Sequence, residues 1–129
     1  MNFLLLIAAI VCSMACAGHF TIGNKDFLKP VLESQDVGII PRKVMHSLFH
    51  YMSVWMLISA VLLWGFAFDY AFVFRSTEDV TLLIGICFLS FAMVQIPIAI
   101  NSPIENGLLK MFQWIFWIII GVCCLLSLG

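Results

Sequence analysis

Four apolar runs occupy most of this chain, at about Asn2–Gly18, His46–Phe68, Val80–Ile100 and Gly107–Leu128. Each is about 17–23 residues long. At about 1.5 Å of rise per helical residue, that length crosses a hydrocarbon core of about 30 Å. A core helix of a water-soluble protein would carry a polar stripe at the 3.6-residue period, and these runs carry none. The predicted fold is therefore all-α, a single domain over residues 1–129 with four transmembrane helices at about 2–18, 46–68, 80–100 and 107–128. Short loops at about 69–79 and 101–106 make consecutive helices antiparallel neighbours, which gives an up-down four-helix bundle.

Composition agrees with that class. The chain is 64% hydrophobic and 10% charged, with a mean hydropathy of +1.13. Its net charge is −1 and it has no basic block, so nucleic acid is not an expected partner. The expected partners are the lipid bilayer and other membrane protein subunits or further copies of the chain. Cys12, Cys16, Cys87, Cys123 and Cys124 all lie inside apolar runs. Such placement suits packed thiols rather than a disulfide framework.

Charge asymmetry sets the expected orientation. Lys25, Lys29, Arg42, Lys43 and Lys110 fall in or beside the first and third connections, and only Arg75 falls in the second. The positive-inside rule puts the first and third connections in the cytoplasm and both termini on the non-cytoplasmic side, in a bacterial inner membrane. Ser13-Met14-Ala15-Cys16 loosely resembles a lipoprotein cleavage box, but no basic residue precedes Lys25. The first run is expected to stay in the protein as a helix. The connection at 20–45 holds Phe27, Leu28, Val31 and Leu32 among charged residues, a pattern suited to the headgroup boundary.

Polar side chains within spans are costly, so their depth carries information. His50, Gln95 and Gln113 each fall a few residues from the cytoplasmic end of their runs, beside His19, His46 and Ser53. At 1.5 Å per residue the three lie roughly 6–9 Å below the boundary and form one polar layer. His46, His50 and Ser53 follow i, i+4, i+7 spacing and share a helix face. Cys12, Cys16 and His19 share another. The layer is expected to join helices by interhelical hydrogen bonds. The other chemistries open to it are a transition-metal site at the histidines, a b-type haem between His19 and His50, and a quinone or lipid-headgroup pocket.

Gly18-His19, Gly23 and Pro30, then Arg42-Lys43 and Phe49-His50-Tyr51-Met52-Ser53-Val54-Trp55, resemble a group of small bacterial four-helix membrane proteins. That group carries glycine–histidine at the end of helix 1 and tryptophan–histidine in helix 2, where this chain has Phe49. The resemblance covers about the first half of the chain and implies His19 and His50, over His46, as the residues of interest.

The function expected from these features is an interaction or accessory subunit of a membrane complex, non-enzymatic and oligomeric, with no cofactor. The outer faces are rich in Phe, Leu and Ile, the fourth run carries Trp114, Phe116 and Trp117, and Ala8, Ala9, Ser13, Ala17 and Gly121 allow close helix contact. The alternative is a haem-, metal- or quinone-binding redox module at His19 and His50. A small transporter is the third class, disfavoured because no span carries a buried charge.

Overall fold

The computed structural model describes residues 1–129 and is helical throughout, with no strand. α1 (Phe3–Gly18) runs without a break into a π-helical stretch (His19–Leu28) and then α2 (Lys29–Glu33). α3 (Ile39–Ala67), α4 (Thr77–Asn101), the short α5 (Gly107–Lys110) and α6 (Gln113–Leu126) follow. Three helices are long and apolar enough to cross a membrane: Phe3–Glu33, Ile39–Ala67 and Thr77–Asn101.

The boundaries depart from the sequence expectation in three places, each with a local cause. The first connection is mostly helix, and non-helical chain is confined to the bend around Ser34–Gly38. The wide π turns precede Pro30, which has no N–H to give the ladder, and the Lys29 N–H bonds back to the Asn24 carbonyl. α3 starts at Ile39 because Pro41 sits in its first turn, where an N–H has no partner in any case. α4 starts at Thr77, where the Ser76 side chain accepts from the Asp79 N–H.

The third departure is the last apolar run, which is not one helix. It breaks at Met111–Phe112 into α5 and α6. A break within an apolar run is tolerated only if its freed backbone groups find partners. Here the Gln95 side-chain amide donates to the Met111 carbonyl at 3.1 Å, and the Trp114 indole donates to the Leu108 carbonyl at 3.0 Å.

Packing also differs from a simple sequential order. α1 lies between α3 and α6, and α4 packs on α6. α3 and α4 follow each other in the chain yet scarcely touch. Their link is aromatic, Trp55 against Phe88 with ring centroids 6.5 Å apart. The α1 seam is made of small and apolar residues, Leu5, Ala8, Ala9, Cys12, Ala15 and Cys16, all buried. Met56, Ala60 and Leu63 belong to the same core from α3. The Cys12 thiol reaches the Met56 carbonyl at 3.6 Å, and the Trp64 indole donates to Ser13 at 3.0 Å. The α4–α6 seam is closer still. A Cβ on Gly121 would stand 2.5 Å from Leu89 Cγ and 2.9 Å from the Gly85 carbonyl oxygen, so the two backbones approach where neither has a side chain.

The N-terminal end joins the end of α3 to the end of α6. The terminal ammonium pairs with Asp69 at 2.9 Å, the Asn2 N–H donates to the Ala67 carbonyl at 2.9 Å, and the Asn2 amide reaches the Ser127 carbonyl at 3.4 Å. His19, the α4–α5 connection and the two glutamines therefore gather at the opposite end.

Candidate polar-ended cleft

The polar side chains near this end fall into two separate hydrogen-bonded clusters. The first joins the end of α1 to α3. The π turn that begins at His19 directs its imidazole onto Phe49, with ring centroids 3.8 Å apart and 16° between planes. His19 Nε2 lies 3.1 Å from the Phe49 carbonyl oxygen and 3.0 Å from Ser53 Oγ. The Ser53 hydroxyl itself donates to the Phe49 carbonyl at 3.1 Å. A carbonyl oxygen only accepts, so Nε2 carries the proton of the neutral ring and Nδ1 is left as an acceptor.

The second cluster joins α4 to α6. Gln95 donates to the Gln113 side-chain oxygen at 2.8 Å as well as to the Met111 carbonyl. Its own oxygen accepts from the Trp117 indole at 2.9 Å. Gln95 is thereby used on both its nitrogen and its oxygen, whereas Gln113 keeps its amide nitrogen free. Trp117 is buried, and its N–H points inward. It is part of the core.

The structure separates His50 from the rest. Residues three apart in an α-helix are offset by about 60° from one another, and this offset divides Ser53 from His50. Ser53 is buried against His19, while His50 is exposed and its ring lies 4.9 Å from that of His46. The i, i+4, i+7 spacing marked a shared stripe too wide to be buried as a whole. A haem held by His19 and His50 does not fit this arrangement. His19 Nε2 is committed to Phe49 and Ser53, and His50 is exposed on α3 beside His46. No group of three or more His, Cys, Asp or Glu side chains is placed to hold a metal ion.

Two adjoining hollows connect the clusters. A cavity of about 360 Å³ lies between α1, α3 and α6, with His19, Phe49, Gln113 and Trp117 among its walls. A larger cleft of about 980 Å³ opens where α3 and α4 separate, between Met45, Phe49 and Met52 on one side and Phe91, Val94 and Ile98 on the other. Phe27, Phe49, Gln113 and Trp117 line both. The result is an aromatic chamber with polar groups, continuous with an apolar slot between two helices. Phe49, Phe27 and Trp117 are the site residues that spacing alone did not single out. The sequence offered Trp117 one turn beyond Gln113 and Phe49 one turn before Ser53, but nothing that ties Phe27 to the polar groups.

No family model, no curated protein and no solved structure matches this chain.

Proposed function

We propose that this chain is a non-enzymatic, four-span membrane subunit that holds a membrane-dissolved amphiphile, with the polar end of the ligand at His19 and Gln113. One observation carries the reading: polar groups with free hydrogen-bonding capacity line a chamber that continues into an apolar slot between α3 and α4. Polar groups facing a hydrocarbon environment need partners, and an amphiphile supplies them at one end while its tail fills the slot. The broken α5–α6 unit serves as the fourth span. Gly107–Leu126 is long enough at about 1.5 Å per residue, and it runs from the glutamine end to the end where Ser127 meets Asn2. The basic residues favour a cytoplasmic location for the glutamine end, with both termini outside and a bacterial inner membrane as the setting.

The splayed α3–α4 pair also favours the reading as an interaction or accessory subunit. A slot open along two spanning helices can receive a helix of a partner subunit or of a second copy. The two readings differ in what fills the slot. The test is native mass spectrometry of protein extracted in mild detergent, with a photo-crosslinker placed at Met52. A retained small-molecule mass, lost on Phe49→Ala, is the expected result. A bare chain, with Met52 crosslinked to another polypeptide, would overturn the ligand reading in favour of the accessory one.

A further inference from the structure

We infer that the ligand's polar end is a hydroxyl on a flat aromatic ring, of the hydroquinone or phenol class, and that the chamber prefers it to the oxidised quinone. The inference rests on the ligand-holding reading above and specifies its chemistry.

Three features of the chamber lead to it. The first is the pair of free hydrogen-bonding groups. His19 presents Nδ1 as an acceptor, because Nε2 donates to Phe49 and Ser53. Gln113 presents its amide N–H groups as donors, because its oxygen is taken by Gln95. A hydroxyl both donates and accepts, so its chemistry matches both groups, whose residues line the same cavity. A quinone carbonyl accepts only, and it would leave the Nδ1 lone pair unanswered. The second feature is charge. The smaller cavity has no charged side chain in its wall, and in the larger cleft Asp26 is the one formal charge. A phosphate or carboxylate head would go uncompensated there. The third feature is shape. Phe27, Phe49, Phe112, Phe116 and Trp117 all line the smaller cavity, which favours a planar ring over an aliphatic alcohol.

Gly18 provides a selective block. It lines the same cavity, and a Cβ built there meets nothing within 4 Å. A larger side chain at 18 enters empty space rather than a neighbour. It also replaces glycine in a helix with a better helix former.

The experiment titrates purified protein in nanodiscs with decylubiquinol, decylubiquinone and dodecanol, reading tryptophan fluorescence and calorimetry. The quinol should bind, and the quinone should bind roughly five- to tenfold more weakly, the effect of one lost hydrogen bond. Gly18→Leu should abolish quinol binding without lowering the unfolding midpoint. His19→Phe keeps a ring on Phe49 but has no acceptor, and it should erase the preference between quinol and quinone. Equal affinity for quinol and quinone in the wild type overturns the hydroxyl assignment. Dodecanol binding as well as the quinol overturns the ring assignment. In either case, binding that is still blocked by Gly18→Leu leaves the ligand-holding reading standing. No binding of any of the three overturns both.

Discussion

The Gln95 amide donates a hydrogen bond to the Gln113 side-chain oxygen across the α4–α6 seam at 2.8 Å, and the same nitrogen donates to the Met111 carbonyl at the break between α5 and α6. A single side chain thus holds two helices together and satisfies a carbonyl freed by a helix break. With the Trp117 indole on its oxygen, Gln95 is the most heavily used polar side chain of the site.

Gln95→Leu should therefore be more damaging than Gln113→Leu. The first leaves the Met111 carbonyl, the Gln113 oxygen and the Trp117 indole without their partner, at a cost of about 1–3 kcal/mol. The second removes one of those bonds. Unfolding in mixed micelles, followed by tryptophan fluorescence, would measure both. An equal or larger loss for Gln113→Leu contradicts the assigned network.

The Gly85–Gly121 contact makes a second prediction. Gly121→Ala drives a methyl to within 2.5 Å of Leu89 Cγ and 2.9 Å of the Gly85 carbonyl oxygen. Forcing the seam apart should cost about 1–3 kcal/mol. Gly18→Ala, with open space around it, should be neutral or slightly stabilising in the same assay. Similar midpoints for the two variants would show that α4 and α6 are not in close backbone contact.

The histidines should behave unequally. His50 is exposed and has no interhelical hydrogen bond, so His50→Leu should leave the unfolding midpoint within about 0.5 kcal/mol of wild type. His19→Leu loses the Phe49 stack and the bond to the Phe49 carbonyl, and should cost about 1–2 kcal/mol. The opposite ranking would place the working histidine on the outer side of α3. An absorption spectrum with a Soret band sensitive to both substitutions would reinstate the haem site.

Orientation can be read by labelling. Gln35 and Val73 are exposed in the first and second connections. Val73 is 93% exposed and, unlike Ser76, has no capping role. In a background without native cysteines, Val73→Cys should react with an impermeant thiol reagent in intact spheroplasts, and Gln35→Cys only after lysis. The reverse pattern would put the polar-ended cleft on the outer side.

Run length and apolarity determined on their own that the chain is helical and suited to a membrane, because satisfying every backbone N–H and C=O in lipid leaves few alternatives. Depth along the runs marked His50, Gln95 and Gln113, with His19, His46 and Ser53 beside them, since polar groups in a span are rare, but it did not say which of them meet. Local sequence did not reveal the break at Met111, because it depends on which side chains come near to satisfy the freed backbone. Spacing put His46, His50 and Ser53 on one stripe, but only helix packing decides which edge of a stripe is buried, and it chose Ser53. The order of helices around the core was also a tertiary outcome. Loop length makes α3 and α4 consecutive and antiparallel, yet the small-residue seams of α1 with α3 and of α4 with α6 allow closer approach than α3 can make with α4. That difference in how closely backbones can approach holds the cleft open.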